Sequence, residues 1–292
     1  MRPARIVLCA DDYGLAPGLG RAIRELLARR RLSAVSCMSV GPHWREEAAR
    51  LSEVGDADVG LHLTLTEQEP LGRLPRTAPA GRLPRFGQML RLAYAGRLDR
   101  EELRGELARQ FDAFVAARGR EPDFLDGHHH VQQLPIVRTL VADLFSTRLA
   151  GRAAYVRTCA EPWGAILRRR AFAFHHLAFA WPGRGLRRVL ERRGIPTNRG
   201  YAGAYDFSPR IPYAVLFDRF LSQARDGLLV NCHPGFVDGA LRERDALTEG
   251  REREYEFLSG PAFPETLFRR GVVLDRLRPR AEGPAVPPPG PA

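Results

Sequence analysis

The segment "RIVLCADD" (residues 5–12) is a short apolar run that ends in two aspartates. A run of this length, rich in branched apolar residues, is typical of a buried β-strand. Runs of the same kind recur at 33–40, 57–65, 123–128, 154–159, 227–232 and 271–277, with a weaker one at 195–203. Helix-like patterns lie between them, at 17–31, 43–53, 99–118, 134–149, 163–193, 211–225 and 261–270.

Strands that alternate with helices pair in parallel through right-handed crossovers. Seven or eight strand–helix units predict an α/β fold of the TIM-barrel-like (β/α) type, either complete or distorted. An open doubly wound sheet is the alternative. The length of 292 residues suits one barrel of about 250 residues. We therefore expect a single barrel domain over residues 1–278.

Two segments depart from the strand and helix alternation. Residues 66–98 are rich in proline, glycine and arginine, and they predict a loop inserted after the third strand. A loop that long within a compact domain is usually functional or mobile. Residues 279–292 are proline-rich with little to bury, so they predict a disordered tail.

The formal net charge is +11, and every one of the 45 basic residues is arginine. The absence of lysine excludes a Schiff-base lysine and a P-loop lysine. Because the arginines are spread over the helix-like segments, we expect them to form a solvated basic surface rather than a nucleic-acid site.

Compartment and assembly are constrained by other features. No window approaches the roughly 18 apolar residues of a membrane span, and the N-terminus lacks the pattern of a signal peptide. The four cysteines are far apart, which is typical of reduced core cysteines in a cytoplasmic protein. The aromatic stretch 171–181 is compatible with either a homodimer interface or a buried helix.

Polar residues occur where the predicted strands end: Asp11, Asp12, His62, Asp126, His128, Asn231 and His233. In a parallel barrel the catalytic groups collect at the carboxyl ends of the strands. Side chains alternate along a strand, so His62 and Thr64 lie on one face and the leucines at 61, 63 and 65 lie on the other. We expect the leucines to pack against the helices and His62 to point into the barrel.

The triple histidine at 128–130 extends one of these strand ends. If the strand continues, Asp126, His128 and His130 share a face and His129 opposes them, so the run supplies one or two ligands. Together with Asp12 and His62, one of these histidines would suit a divalent metal with an open position. Such a metal would acidify a water molecule, while Asp11 acts as base and His233 as acid.

Four segments in order, "CADDYGLAPG" (9–18), "VGLHLTLT" (59–66), "LDGHHHVQQLP" (125–135) and "NCHPGFVD" (231–238), resemble the YdjC-like (ChbG/HpnK) carbohydrate deacetylases. The resemblance covers most of residues 5–277. It implies a TIM-barrel-like fold and hydrolysis of the N-acetyl group of an amino sugar or oligosaccharide, with release of acetate. It further implies one divalent metal, magnesium or zinc, and a small-molecule or oligosaccharide substrate rather than a nucleic acid.

The resemblance also assigns residues. It implies that the metal ligands are Asp12, His62 and His128, which favours His128 over His130. It implies that Asp11 is the general base and His233 the acid. We expect further contacts around these groups from Asp126, His130, Thr64 and Asn231.

Two other functions are compatible with the sequence. Another metallohydrolase on the same barrel, a phosphoesterase or an amidohydrolase, would use the arginine excess to attract an anionic substrate. A non-enzymatic protein would use its basic surface to bind a protein partner or, with strong salt dependence, nucleic acid, but this leaves the strand-end histidines unexplained.

Overall fold

The computed structural model describes residues 2–51 and 56–277. The predicted disordered tail, 279–292, lies outside the described residues. The described residues form eight strands, each of which overlaps a predicted run: β1 (Ala4–Tyr13), β2 (Ala34–Cys37), β3 (Asp58–Leu63), β4 (Phe124–Gly127), β5 (Tyr155–Val156), β6 (Gly200–Ala202), β7 (Leu228–Cys232) and β8 (Val272–Leu274).

All the strand pairs in the described part of the chain are parallel. The sheet order is β5-β4-β3-β2-β1-β7-β6, and β8 pairs with the first residues of β1. The central strands carry buried side chains at every position of β2, β3, β4 and β7. Burial on both faces is typical of a parallel sheet covered by helices.

The two ends of the sheet approach each other. Val156 of β5 pairs in parallel with Thr197, just before β6. The Asn198 side chain spans the same gap, because its Oδ1 accepts from the Thr158 N–H (2.8 Å) and its Nδ2 donates to the Thr158 carbonyl (2.9 Å). The sheet therefore curls into a distorted (β/α) barrel, which confirms the predicted fold class over the open doubly wound sheet.

Eleven α-helices surround the described sheet: α1 (Pro17–Ala28), α2 (Trp44–Arg50), α3 (Phe86–Tyr94), α4 (Arg100–Arg118), α5 (Val137–Arg148), α6 (Trp163–Arg169), α7 (Ala173–Arg192), α8 (Tyr213–Phe220), α9 (Gly239–Arg244), α10 (Glu249–Ser259) and α11 (Ala262–Arg270). Among the described residues, none of these helices has the length and apolar character that crossing a bilayer requires.

The helices differ from prediction in four places, one of which is the short helix α9, which none of the predicted helical segments covers. The predicted helix 163–193 is two helices, because Arg170 and Phe172 adopt positive φ values of 48° and 43°. Helix α3 lies inside the predicted loop 66–98. Helix α10 was missed because its inward positions carry Gly250, Arg251 and Glu254 as well as apolar residues, so it shows no apolar periodicity.

The insertion after β3 is tied to helix α4. Glu102 accepts hydrogen bonds from the backbone N–H groups of Arg76 and Thr77, and Glu106 accepts from those of Leu71 and Gly72, at 2.8–3.0 Å. Glutamates four residues apart lie on one face of a helix. The face of α4 thus holds the inserted segment in place through its backbone.

Candidate active site

Both aspartates of the first strand reach the carboxyl end of the barrel. Regular alternation would send Asp11 and Asp12 to opposite faces. The register of β1 against β2 shifts between Ala10 and Tyr13, and Asp12 has a left-handed φ of 68°. This irregularity turns both carboxylates toward one cavity, which they line together.

Three predicted ligands lie together at this point. Asp12 Oδ1 is 2.9 Å from His128 Nδ1 and 3.4 Å from His62 Nε2. One potential ligand atom from each of the three residues lies within 4.8 Å of the others, and all three residues are buried. Two imidazole nitrogens and one carboxylate form a donor set that divalent metals accept.

The far side of the His62 ring is held by a carboxylate. Its Nδ1 lies 2.7 Å from Asp126 Oδ1, and Ser36 donates to that same oxygen at 2.5 Å. A carboxylate on the second ring nitrogen is how metal-binding histidines are commonly oriented. Burial disfavours the charged ring, but Asp126, Asp12 and Asp11 outweigh it and raise the pKa of His62 to about 10.

The charges around this cluster do not balance. Three buried carboxylates, Asp11, Asp12 and Asp126, face two buried guanidiniums, Arg157 and Arg251. The remaining negative charge is the reason that the pKa of His62 is raised. The same excess charge and the three donors fit a divalent cation.

Asp11 and His233 form a second group beside the ligands. Asp11 accepts two hydrogen bonds from Arg157, at 2.7 and 2.9 Å, and its Oδ2 lies 3.8 Å from His233 Nε2. Burial raises the pKa of Asp11, but Arg157, His62 and His233 together outweigh burial and hold that pKa well below its usual range. Burial lowers the pKa of His233 to about 4 despite Asp11 and Asp12, so the imidazole is neutral at pH 7.

The triple histidine does not continue the strand. Strand β4 ends at Gly127, and a 3-10 helix covers His128–Gln133, in which His129 and His130 have φ values of 52° and 56°. All three histidines line the cavity, so the prediction that His129 points away and at most two face the site is wrong. Left-handed residues break the two-residue alternation on which that prediction depended.

Of the other residues expected around the site, Asn231 and His130 line the cavity and Thr64 does not. Asn231 donates to Asp11 Oδ2 (3.3 Å) and accepts from the Tyr201 hydroxyl (2.8 Å), which also lies 2.9 Å from His130 Nε2. Thr64 is outside the cavity lining. Its hydroxyl donates to the His62 carbonyl (2.9 Å), while its backbone pairs with the Gln110 side chain of α4.

The cavity itself has a volume of about 140 Å³. Part of its lining is aromatic, with Phe179, Tyr201, Tyr205 and Phe207. His175 of α7 also lines it. The site therefore combines a charged floor with rings that can pack against an apolar face of a ligand.

Two arginines of the site were missed because arginine was expected at the surface. Arg157, Arg169 and Arg251 are fully buried, which corrects that expectation. Arg157 lies within the predicted strand 154–159, and an arginine in a buried strand requires a carboxylate partner, so this signal was available. Arg251 gave no such signal, because helix α10 has no apolar pattern.

Glu254 of α10 was missed for the same reason. Its Oε2 accepts from the His233 N–H and its Oε1 from the Tyr205 hydroxyl, both at 2.6 Å. Burial raises the pKa of Glu254 to about 7. Glu254 thereby fixes the backbone that carries His233.

Comparison with known proteins places this chain in a family. The profile of the family described as YdjC-like protein matches residues 5–269. The chain is 26% identical to a chitooligosaccharide deacetylase of Enterobacter sp. (strain 638) and 28% identical to one of Serratia marcescens, over 92% of this chain and 96% of each relative.

A solved structure has the same fold. It is described as that of a cellobiose-phosphate cleavage protein of Enterococcus faecalis V583, with a TM-score of 0.70 and 21% identity over 94% of this chain and 97% of the other. The family match covers nearly all of the barrel, including each of the four motifs. The chain belongs to the YdjC-like protein family.

Proposed function

We propose that this protein is a metal-dependent hydrolase that removes the N-acetyl group from an N-acetylated amino sugar or oligosaccharide and releases acetate. The observation that carries the proposal is the cluster of Asp12, His62 and His128 beside Asp11 and His233 in one cavity. The names of the relatives, chitooligosaccharide deacetylases, support the same reaction and substrate class.

Asp12, His62 and His128 would hold one divalent ion, magnesium or zinc. When bound, the ion would polarise the acetamide carbonyl and make water more acidic. Asp126 would keep His62 Nε2 directed at the ligand position, since it holds the opposite ring nitrogen. Arg251 would hold Asp12 in place through the second carboxylate oxygen, at 2.7 Å.

Asp11 and His233 would move the protons. Asp11 is ionised, so its Oδ2 can accept a proton from the attacking water. The His233 imidazole is neutral at pH 7, and its Nε2 must carry a proton in order to deliver one to the departing amine nitrogen. The two atoms are 3.8 Å apart. A movement of about 1 Å would bring them to hydrogen-bonding distance, so the proton taken by Asp11 can reach the leaving group through His233.

The cavity favours a sugar over a phosphate ester. Among the described residues that line it, the carboxylates of Asp11, Asp12 and Asp245 outnumber the guanidinium of Arg251, and this negative charge would disfavour a phosphate. The aromatic wall of Tyr201 and Phe179 suits the apolar face of a pyranose ring.

The test is acetate release from a panel of N-acetylated sugars, with phosphate esters as the competing panel. Chelation should abolish acetate release, and magnesium or zinc should restore it. The Asp12→Asn variant should lose more than about 100-fold of its rate, since even partners behind metal ligands cost 10–100-fold. Asp112→Asn, at an exposed carboxylate, is the matched control. The proposal fails if metal-replete protein releases no acetate from any sugar, or if Asp12→Asn matches its control.

A further inference from the structure

Helices α6 and α7 expose large apolar side chains to solvent. Trp163 is 52% exposed, Leu167 59%, Phe174 81% and Trp181 70%. We call these four residues the α6–α7 face. Isolated exposed apolar residues are normal, but a contiguous apolar patch marks an interaction surface.

The exposed positions of α7 follow one helical stripe. Phe174, Ala178 and Trp181 are spaced three or four residues apart, and Arg188 and Arg192 continue the same side of the helix two turns further on, next to the exposed Glu191. The first part of the stripe is apolar and the last part is cationic. Trp163 of α6 lies beside the same stripe, because the Arg184 guanidinium stacks on its ring at 4.9 Å.

The charge of this region has one sign. Residues 162–193 contain eight arginines, and their only acidic residue is Glu191. Arg169 is buried against Glu161, but Arg168, Arg170, Arg188 and Arg192 are exposed. Exposed tryptophan, phenylalanine and leucine bordered by arginine are typical of helices that lie in the interface of an anionic membrane.

We propose that the α6–α7 face docks on the surface of an anionic lipid bilayer. Its aromatic and leucine side chains enter the headgroup region, and the neighbouring arginines pair with lipid phosphates. This inference does not depend on the reaction that the active site performs.

Charge favours a bilayer over a second copy of the chain. A two-fold contact would place the arginines of one copy against the same basic face of the other, with Glu191 alone to offset them. Single-stranded nucleic acid would use the arginines and aromatic rings, but Leu167 offers nothing for base stacking. A second copy of the chain and a nucleic acid would each give a different result from a bilayer in the experiments below.

The face adjoins the active site. His175 and Phe179, each one position after an exposed residue of the α7 stripe, line the cavity. Residues one position apart on a helix point about 100° apart. A bilayer on the α6–α7 face would therefore lie at the rim of the cavity.

Vesicle binding tests the proposal directly. Sedimentation should show that the protein binds vesicles rich in phosphatidylglycerol, binds pure phosphatidylcholine much more weakly, and is released by salt. Tryptophan emission should shift to shorter wavelength on binding. The chain has three tryptophans, and Trp44 is buried, so the shift reports on Trp163 and Trp181.

Two variants, each with a matched control, test whether the α6–α7 face is the part of the protein that binds the vesicles. Trp163→Ser/Phe174→Ser/Trp181→Ser should bind anionic vesicles at least about tenfold more weakly, whereas Phe268→Ser, at a 90% exposed residue of α11, should bind as wild type does. Arg188→Glu/Arg192→Glu should also weaken binding, unlike Arg82→Glu/Arg97→Glu, which makes the same charge change elsewhere. Unchanged thermal unfolding shows that the variants fold.

The proposal is overturned if the wild-type protein does not bind anionic vesicles, or if the Phe268→Ser control weakens binding as much as the triple variant does. It is also overturned if light scattering shows a dimer that the triple variant dissociates while vesicles bind neither protein. The same holds if single-stranded RNA, and not vesicles, produces the emission shift.

Discussion

Two buried clusters of arginine and carboxylate differ in whether the negative charge of the carboxylates is fully paired with hydrogen-bond donors. In one, Glu161 accepts from Arg169 (2.8 Å), from Arg225 at both oxygens (3.1 and 2.9 Å) and from the Tyr201 N–H (2.9 Å). Four donors saturate that carboxylate. In the other, the carboxylates of the active site outnumber their guanidiniums and border a cavity.

The comparison shows that buried ion pairs alone do not mark a functional site. Both clusters are held by fully buried arginines, Arg157 or Arg169. The active-site cluster differs because it keeps excess negative charge, imidazole nitrogens and open space together. These three features are what a cation and a substrate need.

The largest effects should come from removing the central group of each cluster. Arg157→Leu leaves Asp11 and Asp126 without their cation, and Glu161→Leu leaves Arg169 without its anion. Each should lower the free energy of unfolding by about 3–5 kcal/mol, because an unpaired buried charge remains. Urea denaturation measures this loss.

Activity per folded molecule separates the two variants. Arg157→Leu should lose more than about tenfold of acetate release, because Asp11 loses its orientation. Glu161→Leu should stay near wild type. The distinction between the clusters breaks down if both variants lose activity equally or if Arg157→Leu retains it.

A smaller effect is expected from a residue behind the proposed metal ligands. Asp126→Asn keeps the size of the side chain but removes the negative charge that holds His62 Nδ1. The affinity for the divalent metal should fall by about 10–100-fold, and excess metal should restore acetate release. Metal titration of chelator-treated protein measures the change. Asp143→Asn, at an exposed ion pair, should bind metal as wild type does, and equal affinities for the two variants would contradict the role of Asp126.

Glu254 should make stability depend on pH. Its pKa is raised from 4.5 to about 7 by burial, so the folded protein holds a proton that the unfolded chain releases. The resulting stabilisation is complete below pH 4.5 and is lost as the pH rises through 7. Glu254→Gln should remove a pH-dependent loss on the order of 1–3 kcal/mol. Urea denaturation of both proteins at pH 5 and pH 7.5 measures it, and parallel curves would refute the assignment.

The smallest effect is expected at the surface. Asp112 pairs with Arg148 at 2.8 Å, and both side chains are exposed. Asp112→Asn should change the free energy of unfolding by less than about 1 kcal/mol, since water and salt screen such pairs. A larger change in thermal unfolding would show that exposure is a poor guide to the strength of ion pairs in this arginine-rich protein.

Much of the fold could be predicted from local patterns. The eight strand runs, the parallel pairing and the four family motifs are properties of short segments, because apolar periodicity and turn chemistry act over a few residues. Helix α10 and the split between α6 and α7 could not be predicted in this way. The inward positions of α10 are partly polar, and Arg170 and Phe172 adopt left-handed backbone that no apolar pattern indicates.

By itself the sequence determined the alternation of strands and helices and the placement of Asp11, Asp12, His62 and His233 at strand ends. Only the tertiary structure decided that Asp11 and Asp12 face the same cavity, that all three histidines line it, and that Arg157 and Arg251 pair with these carboxylates. The physical reason is distance along the chain. Arg157 and Arg251 are 146 and 239 residues from their aspartates, so closure of the barrel, not local preference, sets which charges meet.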